Sequence, residues 1–569
     1  MSADYVLLDQ YLGKAGIPVG YFPLVGYKLT TDTGSFVLTG QTITLSAGRK
    51  LTVDTGTFSL TGTAVTFKRT FVLTADSGAF ALNGTDVTLK VARKLILNSG
   101  TFGLTGTDIA LKAARKLIPD SGTYNLTGTD ITFKRTYVLV VDSGSFILTG
   151  ADAALNVGYK LNAASGIYEL TGTDIELKIT RKLSVGSGSY NLTGTDVNLK
   201  RTYALVADSG SFSLTGMPVN FERAYVLLAG SGSFNLTGYN VKLIRSTHVF
   251  KLESGSFSLT GTPVNFKRTY ILPASSGSFT LTGANVGLAK GYELLAGAGN
   301  FTLIGTDVTF EITRKIILNS GIYNLTGTDI TLKSARKLSL DSGIFALTGT
   351  DLALIADRKL SADIGIFSLT GEPIDFLRSY KLIAKEGIYS LTGTPVTLGR
   401  NYVLSLEPGI YILNGTDITL KVARKLDLGS GAYSLLGTDI TVNLARKLSV
   451  DSGIFTFIGT GVELRADHKL NVDAGIFYLT GEPVGLERNY KLMAETGIFK
   501  LTGTNVILSR RYTLPLESGS YILSGTDIGL YWWLWNACRG YIIPAEDRTF
   551  AIPKEDRVFA IPGCEGGGK

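Results

Sequence analysis

Thr85-Asp86-Val87-Thr88-Leu89-Lys90-Val91-Ala92-Arg93-Lys94-Leu95-Ile96-Leu97-Asn98-Ser99-Gly100-Thr101-Phe102-Gly103-Leu104-Thr105-Gly106 is one period of this chain. Apolar and polar residues alternate in three short runs, which place Val87 with Leu89, Leu95 with Leu97 and Phe102 with Leu104 on one parity. A period of two belongs to a half-buried strand, and the β-branched and aromatic content agrees. Between the runs sits turn chemistry. Asn98-Ser99-Gly100, replaced by Asp-Ser-Gly in many other units, offers a turn with a glycine free to take positive φ, and Thr-Gly-Thr-Asp offers a second turn. Arg-Lys or Lys-Arg marks the third junction. Each unit therefore predicts three short strands and three corners.

Outward from this unit the pattern fills the chain. The glycine that ends Leu-Thr-Gly or its variants recurs from Gly40 to Gly525 as 23 anchors, and every interval is 22 residues except Gly238 to Gly261, which is 23. Independent domains tolerate insertions in their loops. A stack of mutually bonded units does not, because one extra residue moves every later side chain to the other face. Two flavours of unit are mixed. Ala114-Arg115-Lys116-Leu117 typifies one and Lys134-Arg135-Thr136-Tyr137 the other. In the second the arginine stands two residues earlier and an aromatic residue takes its place, a shift that preserves inside–outside parity.

Two geometries satisfy this period. In a parallel β-solenoid each unit is one coil stacked about 4.8 Å from the next, which makes 23 coils a rod of roughly 110 Å. In a multi-chain β-spiral fibre, Asp-Ser-Gly would instead close an antiparallel hairpin. The strict spacing favours the solenoid, and the expected fold class is all-β, an elongated repeat architecture.

The ends depart from the array of residues 27–530. Residues 1–26 match the unit poorly, although Pro18-Val19 and Tyr27-Lys28-Leu29 hint at a degenerate coil. They read as a cap or an attachment segment, since repeat arrays need atypical ends. Residues 531–569 open on Tyr531-Trp532-Trp533-Leu534-Trp535, which holds all three tryptophans of the chain. Tyr541-Ile542-Ile543-Pro544, Phe550-Ala551-Ile552-Pro553 and Phe559-Ala560-Ile561-Pro562 follow at nine-residue spacing. Proline excludes a central strand, so these are edge or extended segments laid along a surface. Trp532, Trp533, Trp535, Tyr541, Phe550 and Phe559 are the candidate interface residues, because aromatic clusters serve either as a plug over a core or as interface anchors. The tail after Pro562 reads as mobile.

Composition excludes several classes. With 2 His and 2 Cys in 569 residues, zinc sites, iron–sulfur clusters, thiol catalysis and a Ser-His-Asp triad are not expected. Cys538 and Cys564 form no disulfide framework. A net charge of +8 from 55 Lys and Arg against 47 Asp and Glu is spread at fixed intervals, unlike a nucleic-acid footprint. No run of apolar residues is long enough for a membrane-spanning helix, and no signal peptide is visible. Asn-X-Thr sequons such as Asn125-Leu126-Thr127 fall inside the repeat and read as accidents of its consensus.

Catalysis needs an irregular constellation. The carboxylates at Asp54, Asp76, Asp120 and Asp142 occupy one repeated turn, and such equivalent turns cannot all be active sites. The departures are Asp375, Glu463 and Asp467 near His468, and His248 in the 23-residue unit. None forms the carboxylate pair a glycosidase needs. Glycine-rich phosphate loops and calcium-binding nonapeptides are likewise missing from the pattern. Threonines beside each anchor glycine could stack into an ice-binding-like ladder, but threonine is also simply a good exposed strand residue.

Ile-Pro-Ala-Glu-Asp-Arg-Thr-Phe, at 543–550, resembles tandem segments of structural proteins in tailed bacteriophages and prophages. The Asp-Ser-Gly-Ser-Phe-x-Leu-Thr-Gly-Thr repeat is similar to repeats of phage fibre and virion proteins. The two patterns together cover nearly the whole chain. The resemblance implies a non-enzymatic virion fibre or surface appendage, made in the host cytoplasm, and it transfers no catalytic or binding residues. The expected partners are further copies of the chain or other virion proteins, with a host-surface glycan or receptor beyond them. No cofactor, metal, nucleic acid or membrane insertion is expected. The competing readings are a bacterial cell-surface adhesin or filament subunit, placed extracellularly, and a polysaccharide-cleaving tailspike.

Overall fold

A computed structural model describes residues 21–551 apart from the short segments 24–27, 47–49, 113–114, 135–137, 245–248, 268–270, 290–292, 312–314, 334–336, 445–446, 467–468, 488–490, 495, 510–519, 532–540 and 544–548. The chain forms two compact units, Met1–Lys290 and Gly291–Lys569. Both are built from the same coil, and every element among the described residues is a strand. The fold is a β-solenoid with a 22-residue period.

A coil from the first unit shows the construction. Its three strands are Thr101–Thr105, Asp108–Lys112 and Lys116–Pro119. Each pairs in parallel with its own equivalent one coil earlier and one coil later, as in Phe80↔Phe102↔Tyr124 and Val87↔Ile109↔Ile131. Parallel strands need a long connection, and here the remainder of the coil is that connection. The parity read from sequence holds. Val87, Leu89, Leu95, Leu97, Phe102 and Leu104 are all buried, while Thr101 and Thr105 face out. The two unit flavours also align as expected, with Thr70 opposite Ala92 and Val72 opposite Lys94.

The corners decide against the hairpin. At Asn98-Ser99-Gly100 the Ser99 N–H donates to Asp76 O at 2.7 Å, and Thr101 N–H donates to Gly78 O at 3.1 Å. The Ser99 hydroxyl donates to the same Asp76 carbonyl at 3.0 Å. This corner is thus bonded to the corner one coil before, where a hairpin would close on itself. At the next corner Gly106 N–H donates forward to Thr127 O and Asp108 N–H donates back to Thr85 O, at 3.0 and 2.9 Å.

The glycines are required for a reason other than the expected one. None among the described residues has positive φ. What demands glycine is the close approach of stacked corners: a Cβ on Gly100 would lie 2.4 Å from Gly78 O, and one on Gly106 only 2.2 Å from Gly84 O. The coil spacing leaves no room for a side chain there.

The single 23-residue unit changes the pairing offset once. Val219–Glu222 pairs with Val241–Ile244 at an offset of 22, whereas Val226 pairs with Val249 at 23. The extra residue therefore enters between 244 and 249, and Val241 and Leu252 on either side remain buried. Parity survives because the strands on both sides of this segment stay in register with the coil before. The parallel register also starts before residue 27, since Tyr21–Pro23 pairs with Thr44–Ser46.

Inside each unit the core is a stack of like residues. In the first, twelve aromatic rings from Phe36 to Phe279 form a continuous ladder with centroids 4.4 to 5.3 Å apart and planes within 15° of parallel. Centroids that far apart exceed the thickness of a ring, about 3.5 Å, so the rings are slipped into the offset geometry aromatic pairs prefer. In the second unit the ladder tilts at two places, Tyr389–Tyr411 and Tyr433–Phe455, with interplanar angles of 33° and 45°. There the Tyr411 hydroxyl donates to Ala384 O at 2.6 Å and the Tyr433 hydroxyl to Leu406 O at 2.7 Å.

Candidate interaction surfaces

The strand that ends the parallel array, Ser520–Tyr531, is closed on its outer edge by two short antiparallel strands. Tyr541–Ile543 pairs with Ile528–Leu530, and Thr549–Ala551 pairs with Ile522–Ser524. Each short strand stops at or just before a proline, at Pro544 and Pro553, as the sequence pattern requires. An open parallel edge offers unpaired N–H and C=O groups to any passing strand, and this arrangement covers them. Of the candidate interface residues, Tyr541 and Phe550 have their backbones in these two strands. Trp532, Trp533, Trp535 and Phe559 lie outside the described residues.

A second feature was not singled out as a groove from sequence. The anchor glycines form the floor and the flanking threonines the walls of a shallow trough on each unit. In the second unit it runs from Ile304 to Thr438, with a volume of about 1050 Å³, and in the first from Asn83 to Thr173, with about 830 Å³. The walls offer hydroxyl and backbone groups. Glu372 is the one titratable lining residue of the second trough, and the first has none. A lone carboxylate does not make the acid–base pair of a glycosidase.

The residues considered for chemistry are spread apart. Asp375 stacks between Ala353 and Thr397 as an ordinary strand residue. Glu463 is paired with Arg465 at 2.6 Å, and Arg465 also reaches Glu487 at 3.2 Å. The bond that Arg465 donates to Glu463 holds the guanidinium above its ordinary value. Asp467, His468 and His248 lie outside the described residues. At the repeated turn, the main-chain carbonyls of Asp54, Asp76, Asp120 and Asp142 accept Ser N–H groups one coil later at 2.7 to 2.8 Å. Those aspartates thus belong to the stacking.

Ionisable side chains elsewhere follow the architecture. Partial burial raises the Glu176 carboxyl, but hydrogen bonds from Lys178 and Lys200 outweigh it and hold the group below the usual carboxylate range. Burial pushes the Tyr124 phenol well above its ordinary value, and its hydroxyl has no hydrogen-bond partner. No group of three or more His, Cys, Asp or Glu side chains is placed to hold a metal ion among the described residues. No helix among them is long and apolar enough to cross a membrane.

No protein-family model, no curated protein and no solved structure matches the chain.

Proposed function

We propose that this chain is a non-enzymatic structural protein, a virion fibre of a tailed phage or a comparable surface appendage. In this reading the coils are a rigid spacer and residues 531–569 are a terminal attachment or assembly module that joins other virion proteins. The observation that carries it is the contrast between the array and its C-terminal end. Within each unit the coils present similar outward residues at one spacing, which suits reach better than selective recognition. The C-terminal segment breaks the period, concentrates Trp and Pro, and is tied by two antiparallel strands to the last coil. Whatever it presents is thereby held in fixed relation to the end of the array. Aromatic anchors in extended, proline-punctuated segments suit a docking surface because little entropy is lost on binding.

The test is a pair of deletions. Removal of residues 531–569 is expected to abolish incorporation into the native assembly. It should also leave the Ser520–Tyr531 edge uncovered and promote end-to-end association. Removal of residues 101–144, two whole periods, should shorten the particle-bound appendage by about 10 Å while incorporation survives. Normal incorporation without residues 531–569 would move attachment to residues 1–26 and leave the aromatic segment as a cap alone.

A further inference from the structure

The two units share a coil but differ in one outward column. The first residue of the first strand in each coil points to solvent. In the Met1–Lys290 unit this position is mostly Ser or Thr, as at Thr101, Thr123, Ser189 and Ser211. In the Gly291–Lys569 unit it is isoleucine at every strand from Ile322 to Ile498 except Ala432. These isoleucines stack directly on one another. Five of them, Ile322, Ile366, Ile388, Ile410 and Ile454, are 36 to 48% exposed, and Ile344, Ile476 and Ile498 are half-buried. Burying none of them in the core, the fold holds a ridge of β-branched side chains in water.

We propose that this ridge is a homotypic interface, and that its occupant is the same ridge on a second copy of the chain. Three observations select a second copy. First, the outward positions of these strands, from Ile322 to Thr480, include no charged residue, and the nearest one on this face is Lys500. Two identical faces can therefore meet without like-charge repulsion. The neighbouring second strands could not, because they carry Asp329, Lys333, Asp351 and Asp439 in stacked columns. Depletion of charge at the centre is also the compositional mark of an interface.

Second, the isoleucines recur at the strand spacing of about 4.8 Å, and an identical ridge carries the same spacing, so side chains can interleave along its full length. An irregular protein surface would match at one or two rungs only. Third, the area suffices. Eight strand spacings from Ile322 to Ile498 span about 38 Å, and five residues of strand are about 14 Å wide. That gives roughly 500 to 600 Å² per copy and about 1,000 to 1,200 Å² for the pair, at the threshold for a specific interface. The inference gives the self-association expected from the sequence a defined surface, and it stands whether or not residues 531–569 attach the chain to anything.

The test uses the full chain. Wild-type protein should sediment as a dimer at micromolar concentration. A quadruple variant, Ile366→Ser, Ile388→Ser, Ile410→Ser and Ile454→Ser, should sediment as a monomer, its association weakened at least a hundredfold. Serine occupies the equivalent position in the first unit, so the coil accepts it. A wild-type chain that stays monomeric to tens of micromolar would overturn the proposal. So would a quadruple variant with the wild-type mass, which would place association on another surface. Should the quadruple variant fail to fold, single cysteines decide, in a background with Cys538→Ser and Cys564→Ser. Ile388→Cys should be cross-linked by a short bis-maleimide and Lys421→Cys, exposed on a second strand, should not. Equal yields from the two would refute the assignment.

Discussion

Gly103 and Gly106 lie three residues apart in one coil, and the same substitution should have opposite effects at the two. Gly103 is an outward strand position where an added Cβ would meet only Phe80 O at 4.0 Å, ordinary van der Waals contact. Gly103→Ala removes the entropic penalty of glycine in a strand and should stabilise by about 0.5 kcal/mol. At Gly106 the added Cβ would stand 2.2 Å from Gly84 O and 3.1 Å from both Thr85 O and Val87 Cγ2. Relief to normal contact requires the two corners to part by about 1 Å, since non-bonded C and O atoms do not approach below roughly 3.2 Å. The bonds that tie these corners are Gly84 N–H to Thr105 O and Asp108 N–H to Thr85 O, each 2.9 Å. Weakening two such bonds at 1 to 2 kcal/mol each gives a loss of about 2 to 4 kcal/mol. Repeat arrays need not unfold in one step, so a single melting temperature is a poor reporter. Native-state hydrogen exchange at the Gly84 and Asp108 amides reads the corner directly. Protection there should fall about thirtyfold or more in Gly106→Ala and stay level or rise in Gly103→Ala. Equal protection in the two variants would show that the corner glycines are not fixed by stacking.

Core and surface should separate as cleanly. Leu104→Ala should destabilise its coil by about 2 to 5 kcal/mol and the exposed Thr101→Ala by less than about 0.5, read by denaturant titration with exchange of local amides. Tyr124→Phe removes a buried hydroxyl that has no partner and should raise stability by about 1 kcal/mol, whereas Tyr411→Phe breaks the bond to Ala384 O and should lower it by a similar amount. Burial raises the phenols of Tyr124 and Tyr323 above the unfolded value. Stability should thus be flat in this respect below about pH 10 and fall above it, by up to about 1.4 kcal/mol per pH unit for each such tyrosine. Alkaline unfolding followed by tyrosinate absorbance at a series of pH values tests the sign; a transition independent of pH between 10 and 12 would contradict it.

The strands were legible in the sequence because period-two alternation is a direct image of burial, as Val87, Leu89, Phe102 and Leu104 demonstrate. The corners were legible in place but not in cause. Asn98-Ser99-Gly100 has the composition of a hairpin turn, and local composition cannot reveal that Ser99 bonds to a residue 23 positions earlier. The regular recurrence of glycine carried that information, because only stacking forbids a Cβ at the same place in coil after coil. Proline spacing predicts edge or extended segments, and Tyr541–Ile543 and Thr549–Ala551 lie at the edge. Their partner strand was not legible, since antiparallel pairing with Ser520–Tyr531 leaves no mark in the spacing. Nor was the isoleucine column. An outward Ile at Ile388 reads in one unit as ordinary strand composition, and it becomes a ridge only once pairing sets Ile366, Ile388 and Ile410 in line.

A repeat of this kind divides its positions by how strongly the neighbouring coil constrains them. Corner glycines are fixed because an added Cβ at Gly100 or Gly106 would stand 2.2 to 2.4 Å from a carbonyl one coil before, and one inward column is fixed by its ladder of Phe and Tyr. Both are kept in coil after coil, whereas the other inward columns vary but stay apolar, as at Ala75, Leu97 and Val141. Outward residues meet only solvent and their own equivalents, so they alone are free to switch between polar and apolar. A change confined to one outward column, kept through successive coils, therefore carries information about what the surface meets. The step from Ser and Thr at Ser189 and Thr123 to Ile at Ile366 and Ile388 is such a change, and it is unfavourable for an isolated chain because each exposed isoleucine orders water around apolar surface. The stacking that builds the coil does not require it, as the first unit demonstrates by doing without it. The requirement must come from outside the coil, and a second array with the same spacing is the partner whose geometry meets it at every rung.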